Sequence, residues 1–188
     1  MKSAKPLALA LGILLATLLG GASRAEAQYG GPPPPRGMYR SNFLVGFAVG
    51  GGSIIADECS TCGGGGALEF HIGGMVNPRL GVMGEVWGIG RPVNGGTLSN
   101  GVLLGAVQFW ATPMFWLKGG LGVGNISFED DVTGESVGES ALAIAGGAGI
   151  EIIQSYNFAL DLQFRVSHTT VPGGGASNVA FLVGFNWY

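Results

Sequence analysis

The chain has 188 residues and a formal charge of −3; only 11% of its residues are charged and 37 are glycine. Ordinary soluble domains carry about 25% charged residues, so a water-facing surface could hardly be built from this composition. Each interior glycine costs a helix about 1 kcal/mol relative to alanine, which disfavours a helical fold, and the acidic balance argues against nucleic acid as a partner.

The first element is a targeting segment. Lys2 and Lys5 precede an apolar run from Leu7 to Leu19, too short for a membrane-spanning stop-transfer helix, and Ala25-Glu26-Ala27 supplies a small-x-small cleavage pattern before Gln28. Export is the expectation. No cysteine follows the apolar run, which argues against a lipid anchor. Without residues 1–27 the chain keeps six basic and eleven acidic residues, a net charge of −5. Gln28 to Arg40, with Pro32 to Pro35 in a row, reads as an extended polyproline tail that needs no packed structure. The expected domains are thus residues 1–27 as signal peptide, 28–41 as a periplasmic Pro/Gly-rich tail and 42–188 as a single folded unit.

From Phe43 onward, apolar residues alternate with small or polar ones in stretches of roughly ten residues, the period of a strand with two differently solvated faces. Strands are expected over residues 42–52, 66–76, 79–90, 100–110, 114–126, 140–153, 157–169 and 178–188. The fold class that follows is an all-β, eight-stranded, antiparallel up-and-down transmembrane β-barrel. Asn77-Pro78, Ala111-Thr112-Pro113 and Gln154-Ser155-Tyr156 read as tight turns, whereas Ser53 to Gly65, Arg91 to Ser99, Ser127 to Glu139 and Thr170 to Ser177 read as longer loops. Bacterial barrels set short turns on the periplasmic side and long loops outside, so both termini are expected in the periplasm. Pro78, Pro92, Pro113 and Pro172 are expected to avoid strand interiors, because proline removes a ladder donor.

The faces separate cleanly. Phe43, Val45, Phe47 and Val49 oppose Leu44, Gly46, Ala48 and Gly50; Phe158, Leu160, Leu162, Phe164 and Val166 oppose Ala159, Asp161, Gln163, Arg165 and Ser167. An eight-stranded interior has room only for side chains, so the bulky face is expected to meet lipid and the small face to line a narrow lumen. A soluble barrel would show the reverse. Tyr39, Phe109, Trp110, Phe115, Trp116, Tyr156, Phe158, Trp187 and Tyr188 gather near the tight turns and read as an interfacial girdle. Trp87 is a misfit: alternation turns it inward beside Glu85, so either a glycine wall accepts the ring or a bulge re-aims it.

The closing alternation Val179-x-Phe181-x-Val183-x-Phe185-x-Trp187 resembles the C-terminal assembly signal of the small outer-membrane β-barrel family of OmpA/OmpX type. The resemblance covers about Asn42 to Tyr188, and Tyr188 departs from the pattern by following one residue after the expected last aromatic. It implies residence in the bacterial outer membrane, contact with its lipid and lipopolysaccharide, and recognition of Phe181, Phe185, Trp187 and Tyr188 by barrel-assembly machinery.

Alternation turns Glu69, His71, Glu85, Lys118, Glu151, Asp161 and Arg165 inward. Isolated ions in a narrow low-dielectric lumen are expensive, so they are expected to pair, to stay hydrated or to shift toward their neutral forms. Counting up from the tight turns brings Lys118, Glu151 and Asp161 to one depth, predicting a cluster of those three. Four carboxylates against two permanent cations would make any open path cation-preferring. Cys59 and Cys62 sit in the first loop of an exported chain, where a small disulfide is expected over a metal or redox pair. Asp57, Glu58, Glu129, Asp130, Asp131, Glu135 and Glu139 read as solvated acidic loops. Ser167 and His168 adjoin, but on opposite faces, so no nucleophile and base meet. The expected role is a structural or surface-interacting barrel without enzymatic activity, metal or cofactor; the alternatives are a narrow cation-preferring channel and a lipid-modifying enzyme.

Overall fold

The computed structural model describes residues 40, 43–56, 63–93, 95–130, 133, 136–171 and 174–188. Eight strands form one closed antiparallel barrel in chain order: β1 (Phe43–Ala56), β2 (Gly64–Asn77), β3 (Leu80–Val93), β4 (Gly96–Trp110), β5 (Phe115–Asp130), β6 (Ser136–Gln154), β7 (Phe158–Val171) and β8 (Gly174–Trp187). Consecutive strands are hairpin neighbours, and β1 pairs with β8 to close the ring.

The register fixes the tilt. Following Cα partners from Phe43 through Gly74, Val82, Val107, Gly119, Gly146, Val166 and Val179 leads back to β1 at Ser53, an offset of ten residues. For eight strands that stagger corresponds to a tilt in the usual range of about 35–45° and to an interior that side chains can fill.

The strands run further than expected at the end carrying residues 57–63 and 131–135, here the loop end; the opposite end is the turn end. The stretches Arg91 to Ser99 and Thr170 to Ser177, expected as long loops, are mostly strand, joined by residues 94–95 and 172–173 alone. Glycine, serine and threonine carry the ladder past the apolar band, where alternation of hydrophobicity no longer reports it. Pro92 consequently lies inside β3, paired with Thr97. It is tolerated there because the β2 ladder stops at Gly90, leaving Pro92 with a single paired flank. Glu129 and Asp130 likewise end β5, and Glu139 lies within β6.

The apolar faces point outward as expected: Phe43, Leu68, Leu121 and Phe181 are exposed, whereas Leu44, Ala48, Ala159 and Ala180 are buried. One irregularity changes the parity. A bulge between Glu151 and Ile153 inserts Ile152, so Ile152 and Ile153 both face out while Glu151 turns in. On the inner wall several glycines are seats for side chains of adjacent strands. A Cβ on Gly46 would lie 2.6 Å from the His71 ring, one on Gly147 2.5 Å from Arg165 Cδ, and one on Gly149 would run into the Trp116 ring.

Candidate functional site in the barrel lumen

The interior is built in layers. At the turn end Leu44, Met83, Ala106, Trp110 and Trp116 pack together, joined by Met75 and Tyr188. The loop-end half holds Ile54, Trp87, Ile89, Val102, Leu104 and Leu182 with small alanines, beside buried Asn100, Thr169 and Asn178. Between them sits a ring of four ions. Lys118 Nζ lies 2.7 Å from Glu69 Oε1 and 2.9 Å from Glu85 Oε2. Arg165 Nη1 lies 2.6 Å from Glu69 Oε2, and its Nη2 bonds Glu85 Oε1. Each carboxylate bridges both cations, so the ring is neutral, which is what a buried charge cluster requires. His71 Nδ1 adds a contact of 3.1 Å to Glu69. Lys118 sits 5.3 Å from the Trp116 ring centroid, and the Arg165 guanidinium 5.4 Å from that of Trp87.

All seven lumen residues singled out in the sequence are buried, but they do not assemble as expected. The cluster of Lys118, Glu151 and Asp161 does not form, because depth counted from each turn ignores the stagger between strands. Lys118 registers with Gly147, whereas Glu151 lies below Ile150, the partner of the first β5 residue. Lys118 therefore meets Glu69 and Glu85 instead.

Glu151 has its own set of donors at the turn end. Its Oε1 accepts from Trp110 Nε1 at 2.8 Å and from the Tyr188 hydroxyl at 2.8 Å. Its Oε2 accepts from Arg40 Nη2 at 2.5 Å and from Gln154 Nε2 at 2.7 Å. Arg40 also donates to the Pro113 carbonyl at 2.7 Å and stacks 4.8 Å from the Trp110 ring centroid. Asp161 accepts from the neutral groups Trp116 Nε1, Gln163 Nε2 and Asn186 Nδ2 at 3.0, 2.9 and 3.0 Å.

Three girdle expectations are thereby corrected. Trp110 and Trp116 are fully buried in the lumen and Tyr188 bonds into it, while Phe109, Tyr156 and Trp187 are exposed as expected. The signal was available: the alternation that turns Lys118 inward also turns Trp116 inward, and Gln108 does the same for Trp110. Arg40 gives no such signal, since it precedes the first strand in a stretch that reads as an unpacked tail. It adds a third permanent cation to the interior, so the count of four carboxylates against two cations does not hold. Trp87 keeps its inward place without a bulge, under Arg165. Near the loop end, Ser167 is buried and His168 exposed, with His168 Nδ1 3.0 Å from Ser177 Oγ. Tyr39, Cys59 and Cys62 lie outside the described residues, as do Asp57, Glu58, Asp131 and Glu135.

Comparison with known proteins agrees with this architecture. Neisserial surface protein A superposes with a TM-score of 0.63 at 12% identity, covering 77% of this chain and 96% of that one. Ail, the attachment invasion locus protein of Yersinia pestis, gives 0.57 at 16% identity over 79% of this chain and 100% of its own. Ail in complex with the heparin analogue sucrose octasulfate gives 0.56 at 16% identity, with the same coverage. At such identities the likeness is one of fold. A search of curated proteins finds no match. The family model for the outer membrane protein beta-barrel domain matches residues 12–188, and with that match the chain belongs to this family of bacterial outer-membrane barrels.

Proposed function

We propose that this protein is a closed, non-conducting outer-membrane barrel that anchors in the envelope and presents an acidic rim to a surface partner. The occupied lumen carries the reading: an ion ring that satisfies its own charges sits at mid-height, and the carboxylates nearer the turn end, Glu151 and Asp161, are engaged by Arg40, Trp110, Trp116, Gln163 and Asn186. A narrow cation-preferring channel would need Glu69 and Glu85 free to meet ions, and both carboxylates are held by Lys118 and Arg165. A lipid-modifying enzyme would need a base beside Ser167, and its neighbour His168 points the other way.

The rim favours a particular chemistry. Glu129, Asp130 and Glu139 lie at the loop end, joined in sequence by Asp57, Glu58, Asp131 and Glu135, with Arg91 as the basic residue among them. A cationic partner, or lipopolysaccharide phosphates bridged by divalent ions, suits that surface better than a polyanion of the kind seen with Ail. In this reading residues 1–27 direct export, residues 28–41 and both termini lie in the periplasm, assembly machinery reads Phe181, Phe185 and Trp187 with Tyr188, and Cys59 and Cys62 join in a loop disulfide.

Planar-bilayer recording of the refolded barrel tests the proposal. The expected trace shows no steady conductance above leak; stable single-channel steps would overturn it.

A further inference from the structure

We propose that Glu151 is a clasp for the closing seam of the barrel, holding the residues that flank both ends of the strand set. The β1–β8 pair is the one ladder with no turn joining its strands, and it brings Val45 beside Trp187. Closing a loop of that length carries the largest entropy cost in the fold, so the seam is where the ring opens most readily. The two groups that reach Glu151 from outside the hairpins come from the flanks of those two strands. Arg40 precedes β1 and Tyr188 follows β8, yet both bond a carboxylate on β6, away from the seam.

The geometry is that of a fastening. Each Glu151 oxygen takes one bond from a chain flank and one from a fixed neighbour, Trp110 for Oε1 and Gln154 for Oε2. The Trp110 and Tyr188 rings meet edge to face at 5.8 Å, and the Arg40 guanidinium lies 5.5 Å from the Tyr188 ring centroid. Alternation along β6 aims the Glu151 carboxylate inward, and the bulge that follows leaves two successive isoleucines in lipid. Tyr188 is tied a second time, its N–H donating to the Asn157 carbonyl at 3.0 Å. The clasp also accounts for a residue beyond the terminal aromatic: Trp187 remains outside, and Tyr188 works inside. Charge-assisted bonds to a buried carboxylate are the stronger class of hydrogen bond, so two of them can hold an otherwise open-ended seam.

Hydrogen exchange on the full-length, refolded protein distinguishes a clasp from ordinary packing. Tyr188→Phe removes one flank bond to Glu151, and Arg40→Ala removes the other together with the Arg40 bond to the Pro113 carbonyl, both leaving Glu151 in place; Trp116→Phe removes a buried bond at similar depth that reaches neither flank. Exchange of β1 and β8 amides is expected to rise about tenfold in the two flank variants, as for loss of a hydrogen bond to a charged group, with β3 to β5 amides unchanged. Trp116→Phe should show no bias toward the seam. Exchange that is unchanged in both flank variants, or that rises equally in all strands, would overturn the clasp. Glu151→Gln is the stronger lesion, and should it fail to fold, the two flank variants still decide the matter.

Discussion

Arg165 on β7 and Glu85 on β3 belong to strands that do not pair, and their side chains bond in the middle of the lumen. With Lys118 and Glu69 they join four strands through the interior, which the ladder alone cannot do. Arg165→Met leaves two buried carboxylates to share one lysine. Breaking a buried pair from one side costs about 3–5 kcal/mol, and the urea midpoint of the folded band on unboiled gels should fall accordingly. Replacing all four ions by apolar residues of similar volume should cost less than Arg165→Met alone. A quadruple variant weaker than the single one would contradict this account.

Gly46 and Gly66 give opposite expectations for the same substitution. A Cβ at Gly46 collides with the His71 ring, whereas a Cβ at Gly66 meets no atom within 4 Å. Gly46→Ala should lose about 1–3 kcal/mol by overpacking, and Gly66→Ala should be nearly silent. Adding His71→Ala should return part of the Gly46→Ala loss, the contact with Asn186 Oδ1 remaining; a double-mutant cycle with no coupling would count against the proposed seat.

The tryptophans can be sorted by lipid contact. Trp187 is 39% exposed, while Trp87, Trp110 and Trp116 are at most 1% exposed. In single-tryptophan variants, brominated lipid should quench Trp187 fluorescence strongly and the other three weakly. Strong quenching at Trp116 would return it to the girdle.

Charge on the outer face should cost more at mid-height than near the rim. Leu121 is 68% exposed in the apolar band, and Asn125 lies one turn of the pleat above Val123 on the same face. Leu121→Arg should lose about 2–4 kcal/mol and Asn125→Arg about 0–1 kcal/mol. Equal losses in refolding titrations would mean that lipid does not end where the apolar residues do.

The faces, the strand count and the inward ions carried by the strands were legible because period-two alternation is a local property of the chain. The partners of those ions were not, because they depend on stagger accumulated over several strands. Lys118 illustrates the gap: its direction follows from its neighbours, but its meeting with Glu69 follows from register. Strand ends at the rim were missed where glycine and serine erase the contrast between faces, as around Ser99 and Ser177. Arg40 was missed because nothing local marks a tail residue as a stopper, and Trp110 and Trp116 because composition near a turn outweighed the alternation that already placed them.

The ion ring has a bearing on how the sheet finds its reading frame. A slip of one residue exchanges lipid and lumen faces and is punished at once. A slip of two keeps every face correct, so greasiness alone is blind to it. Four charges drawn from β2, β3, β5 and β7 coincide at a single setting, like marks on a vernier, and a two-residue error in any of those strands would strand an ion without its counterpart.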